Sequence, residues 1–167
     1  MSQSPEARAE IARFQLHSTL AALDAVDRAF AAIPDDRLDE EPVADQMAAG
    51  TMVAHIYQAV AMCARAFVLG RMEEGDMDGL TDPEEGWKKE AIVALSKAAR
   101  AELASALAAV SPDSAERTID FYFGFSASGL DTAWLGHSEL LHHRGQLVTF
   151  MRIMGLEPPN IYEGHPL

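Results

Sequence analysis

A single cysteine, Cys63, is all the sulfhydryl chemistry this sequence offers, so an internal disulfide is excluded and a reducing compartment is the natural setting. Basic residues are scarce: 13 against 26 acidic ones, for a formal net charge of −13. Such a field repels phosphate backbones and anionic bilayers, which argues against nucleic-acid and membrane partners. Aromatic residues make up only 7% of the chain, and β-branched ones are also few, which argues against a β-rich fold. The opening Met-Ser-Gln-Ser-Pro-Glu lacks the basic-then-apolar pattern of a secretory signal, and no apolar run is expected to span a bilayer. Internal repeats and low-complexity stretches are missing as well. A cytoplasmic location is the expectation these absences leave. What is abundant is Ala and Leu, within an apolar fraction of 49%, and both are strong helix formers. A length of 167 residues suits one domain, 1–167, with a substantial core.

Hydrophobic spacing predicts four helices. The first begins near Ser4, with Pro5 suited to the opening position and Glu6 to the N-terminal dipole. Its stripe is Ile11, Phe14, Leu20, Leu23, Val26, Phe30 and Ile33, and Pro34-Asp35-Asp36 ends it. An acidic loop then runs to about Asp45. The second helix covers roughly 46–69, with a stripe of Val53, Ile56, Tyr57, Val60, Ala64, Phe67 and Val68. After an acidic connection, Asp82 and Pro83 read as N-cap and first turn of the third helix, which carries Trp87, Ile92, Leu95, Ala99, Leu103, Leu107 and Val110. Ser111-Pro112-Asp113 stops it. Segment 114–126 gathers Phe121, Tyr122, Phe123 and Phe125 around Gly124 and is open between a short strand, a lid and a buried loop. The fourth helix runs from near Ser128 to Met154, punctuated by Gly155 and Pro158-Pro159. Four long helices give an all-α fold, a four-helix bundle with long connections.

Chemistry concentrates in 136–146, Gly-His-Ser-Glu-Leu-Leu-His-His-Arg-Gly-Gln, where three imidazoles and a carboxylate share one helix. These are ligands for borderline and hard divalent metals. On a helical wheel Glu139 and His143 lie about 40° apart, at one edge of the apolar arc of Leu140, Leu141, Leu147, Val148, Met151 and Met154. The pair reads either as a hydrogen-bonded couple at a helix interface or as half of a metal site. His142 falls on the polar side, as a solvated residue or an interface contact. His137, about 120° from His143 on the wheel, and His165 read as surface residues. His17 is structural or exposed. A rigid metal site needs a ligand from a second helix, and His55 is the available one. It sits off the main stripe, with Met52, Ala59 and Met62, where packing is its other reading.

Two runs in this layout resemble the DinB-like (DinB/YfiT-like) family of helical metalloenzymes. One is Ala49-Gly50-Thr51-Met52-Val53-Ala54-His55-Ile56; the other is His142-His143-Arg144-Gly145-Gln146-Leu147, similar to the family's HHRGQ signature and followed by Arg152, Gly155 and Pro158-Pro159-Asn160-Ile161-Tyr162. The four-helix layout agrees over nearly the whole chain. The resemblance implies a divalent metal, Zn or Ni, held by His55, position 139 and His143. The family has His at position 139, whereas this chain has Glu139, so a two-His, one-carboxylate set replaces three imidazoles. The implied activity is a transferase using a low-molecular-weight thiol such as bacillithiol or mycothiol, or a hydrolase, acting on a small molecule as a homodimer. Tyr57 or Gln58 would orient substrate, Arg144 would pair with acidic residues of the bundle, and Gly145 would allow another helix to approach. The alternative is a non-catalytic dimeric bundle or ligand-binding protein with a degenerate metal site. Direct DNA contact, which the family name invites, conflicts with the charge of −13.

Overall fold

The computed structural model describes residues 3–80, 83 and 86–161. Four long helices, α1 (Pro5–Ala31), α2 (Ala49–Leu69), α3 (Lys89–Ala108) and α5 (Gly129–Ile153), form a bundle. A five-residue helix, α4 (Pro112–Glu116), and three short strands, β1 (Arg71–Met72), β2 (Thr118–Phe121) and β3 (Phe125–Ser128), occupy the connections.

Ser4 caps α1 by accepting from the Ala7 N–H at 3.3 Å, with Pro5 behind it, as its sequence signals required. The buried face is not the expected stripe throughout. Leu16, Leu23, Val26 and Phe30 are buried, but Phe14 is 71% exposed. Phe14 lies about 200° from Leu16 on the wheel, and the core side of α1 is completed by Ala9, Ala12, Ala22 and Ala29 instead. Small residues let α1 sit close to its neighbours, and they carry little signal on a hydrophobicity scale.

α2 is buried around most of its circumference, leaving a half-exposed strip of Thr51, His55, Gln58, Met62 and Arg65. Its length of 21 residues and mean hydropathy of 1.5 make it long and apolar enough to cross a bilayer, contrary to expectation. Within the fold 67% of its apolar window is buried, which is the signature of a core helix.

The third helix begins later than expected. Gly86 has φ +78°, which breaks helical propagation, so α3 starts at Lys89 and Trp87 precedes it. Asp82, the expected cap, lies outside the described residues.

Contacts fix the helix directions. Arg8 donates to Ser128 Oγ at 3.3 Å and Thr19 meets His137 at 3.1 Å, so α1 and α5 run parallel. Asp27 meets Ser96 while Arg13 reaches the Val110 carbonyl, so α1 and α3 are antiparallel. Tyr57 shares Asp27 with Ser96, and Arg65 pairs with Glu102 at 2.8 Å, so α2 and α3 are parallel. The order is up, down, down, up. Two consecutive parallel helices need a return connection, which in this chain falls between Leu69 and Lys89.

Segment 114–126 resolves into α4 and most of a hairpin. Thr118 pairs with Ser128 and Phe121 with Phe125 across a turn holding Gly124 at φ +82°, while β1 pairs with β2 in parallel. Ala66, Met72, Ile119 and Phe121 form a small second core beneath this sheet. Ser128 ends the hairpin and caps α5, accepting from the Asp131 N–H at 3.1 Å.

Candidate metal centre

α2 and α5 are antiparallel neighbours packed closely in one place. A Cβ placed on Gly136 would lie 2.9 Å from the Cys63 Cβ, so glycine is what lets the helices approach there. Gly145, expected to do this, faces outward, and a Cβ placed on it would meet nothing within 4 Å. Two turns from Cys63 on α2, His55 faces Glu139 and His143, which stand about one and two turns beyond Gly136 on α5.

Donor atoms of His55, Glu139 and His143 all lie within 4.8 Å of one another, and all three residues are half-buried. Glu139 Oε2 is 3.2 Å from His143 Nε2, and the His55 and His143 rings meet edge to face with centroids 4.6 Å apart. On its other nitrogen, His143 Nδ1–H donates to Gln146 Oε1 at 2.6 Å. An amide oxygen only accepts, so this bond places a proton on Nδ1 and turns Nε2 towards the carboxylate. Two electron-rich atoms 3.2 Å apart repel unless a cation or a proton lies between them. Ligands at about 2.0–2.2 Å from a shared ion sit roughly 3–4 Å from one another, so a divalent ion fits this trio with small side-chain rotations. The Nδ1–H bond to an oxygen acceptor is also the usual outer-shell arrangement of a metal-binding histidine.

Residues 14–166 match the DinB family. The chain belongs to the DinB family. A DinB-like protein from Bacillus subtilis, YjoA, has a crystal structure that superimposes with a TM-score of 0.69 at 20% identity, covering 88% of this chain and 96% of that one. That likeness supports the helical fold described above. No curated protein matches the sequence.

Other sequence candidates separate once placed on this DinB fold. His142 is exposed, its ring centroid 4.9 Å from that of His143, and its donors fall outside the trio. His17 is exposed. His137 is not a plain surface residue: it is half-buried and bonds Thr19, whose own hydroxyl proton goes to the Gln15 carbonyl, so His137 Nδ1–H donates and ties α5 to α1. His165 lies outside the described residues. Tyr57 is fully buried and donates to Asp27 Oδ1 at 2.5 Å, on the α1 and α3 side of α2. Burial first, and then the Asp27 charge, push its hydroxyl well above the ordinary tyrosine range, so it is a neutral donor tying the core together and not a substrate contact. Gln58 stays on the half-exposed strip with His55. Arg144 is 8% exposed.

Cys63 is buried, and its thiol is pushed up to about 12 by burial and, secondarily, by the Glu139 charge. This DinB chain therefore supplies no thiolate of its own near neutral pH. Sequence reasoning misses Gln146 as a site residue because its wheel position is polar. The motif does hold the signal: three residues after His143 is one turn on, within side-chain reach.

Proposed function

We propose that this DinB-family protein is a divalent-metal-dependent enzyme acting on a small molecule, with His55, Glu139 and His143 as ligands and Zn or Ni as the metal. The observation that carries the proposal is the convergence of donor atoms of His55, Glu139 and His143 within 4.8 Å of one another, with His143 Nδ1 bonded to Gln146 on the far side of its ring. When bound, the ion would acidify a coordinated water or an exogenous low-molecular-weight thiol, giving hydrolase or thiol-transferase chemistry. The chain's part is otherwise positional. Gln146 holds the His143 tautomer, Glu139 offsets the ion's charge, and Gln58 lines the half-exposed side from which a substrate would approach. The buried, protonated state of Cys63 supports a thiol that arrives as a co-substrate rather than one built into the chain.

Phe14 on α1 and Trp134 on α5 expose 71% and 53% of their surface, apolar area that a homodimer would cover.

Elemental analysis of untagged protein made without metal supplementation tests the reading. Near-stoichiometric Zn or Ni, lost in His55→Ala and His143→Ala, is expected. Protein that retains no metal and binds none on addition is instead a ligand-binding or structural bundle.

A further inference from the structure

On the opposite side of the bundle, between α1 and α3, lies a cavity of about 340 Å³, within the size range of small-molecule sites. Its apolar lining comes from Phe30, Ala31 and Val93. Three basic side chains line it: Lys89, Lys97 and Arg100 stand with Val93 on one stripe of α3. All three lysines of this chain of net charge −13 fall between residues 88 and 97.

The charges of this lining are not equally committed. Asp27, the acidic residue of the lining, accepts from Tyr57 at 2.5 Å, Ser96 at 3.0 Å and Arg100 at 2.5 Å, so its oxygens are occupied. Lys89 pairs with Asp35 at 2.6 Å and lies over the Phe30 ring at 5.8 Å. Arg100 is held by Asp24 at 2.8 Å as well as by Asp27. Lys97, among the described residues, has no such partner. The one uncommitted charge of the lining, among the described residues, is therefore positive, and it stands one turn from the Arg100 guanidinium.

We propose that this cavity binds a small amphiphilic carboxylate, its head group on Lys97 and its apolar chain or ring along Val93, Ala31 and Phe30 towards Lys89. The span from residue 97 back to 89 is about 12 Å at the helical rise, which suits an extended chain of medium length. A cationic amphiphile is disfavoured, because the carboxylate it would meet in the lining is already saturated by three donors.

Calorimetric titration of the intact protein with sodium octanoate tests this, with octylammonium as the charge-reversed control. Saturable one-to-one binding of octanoate is expected, weakened at least about tenfold in Lys97→Glu and in Val93→Asp, both exposed positions whose substitution leaves the helical circular dichroism unchanged. Binding is expected to persist in His143→Ala, since the candidate metal centre is on the other face. Three results overturn the proposal: no saturation with octanoate, equal binding of octylammonium, or octanoate binding that survives Lys97→Glu and is lost in His143→Ala.

Discussion

Glu139 Oε2 lies 3.2 Å from His143 Nε2, one helical turn away, while the opposite nitrogen of the same ring is bonded to Gln146 at 2.6 Å. The imidazole is held from both sides, and each side can be removed separately. Gln146→Leu leaves all three ligands in place but frees the tautomer, and a loss of roughly 10–100-fold in Zn(II) affinity is expected. Gln146→Glu keeps an oxygen acceptor and should retain most of the affinity. Competition against a chromogenic chelator measures both. Glu139→Ala removes a ligand and should cost more than Gln146→Leu; an affinity equal to wild type would remove Glu139 from the site.

Gly136 and Gly145 sit on one helix but should respond oppositely to alanine. At Gly136 the added methyl meets the Cys63 Cβ at 2.9 Å, and overpacking of this kind costs about 1–3 kcal/mol. It would also push α2 from α5 and weaken metal binding. At Gly145 nothing lies within 4 Å, so alanine should be neutral or stabilising by up to about 1 kcal/mol through helix propensity. Urea unfolding of the two variants checks the contrast.

Asp27 organises three donors, so its loss should exceed the loss of any one of them. Tyr57→Phe deletes one hydrogen bond and is expected to cost about 1 kcal/mol. Asp27→Ala strands a fully buried tyrosine hydroxyl and should cost about 2–3 kcal/mol. Metal content should be unchanged in Tyr57→Phe, because this network faces α1 and α3.

The Cys63 thiol, pushed up from 9.0 to about 12, makes stability fall in alkali. Between these values the unfolded chain releases the proton while the folded chain keeps it, so the unfolded state binds fewer protons and stability drops as pH rises from about 9 to 12. Tyr57, raised for the same reason, adds to the loss above pH 10. Cys63→Ala should flatten the lower part of that decline, measured by denaturant midpoints across the range. Native protein should also be silent to a thiol-specific chromogenic reagent until unfolded.

Much of this is readable from the chain. Ser4-Pro5, Ser128 and Gly155 mark helix ends because capping is local chemistry, and the wheel brings Glu139 and His143 together because one turn of helix is fixed geometry. His55 cannot be placed by the same means. It lies off the main stripe of α2, and only the antiparallel packing of α2 on α5 turns that edge towards the other two residues. Phe14 misleads because an alanine-rich helix marks its core face by smallness. The start of α3 slips because a single positive φ at Gly86 outweighs the cap-like Asp82-Pro83 pair. The aromatic cluster at 121–125 is ambiguous because exposed hairpin tips and buried loops share a composition.

The up-down-down-up arrangement has a temporal consequence. A chain emerging from its N-terminus presents His55 long before Glu139 and His143 exist, and the intervening α3 and hairpin must be made first. Affinity for a cation would then arise only when the last helix docks, so the nascent protein offers passing metals no ready-made trap, and an ion once captured would act as a clasp between the second helix made and the last.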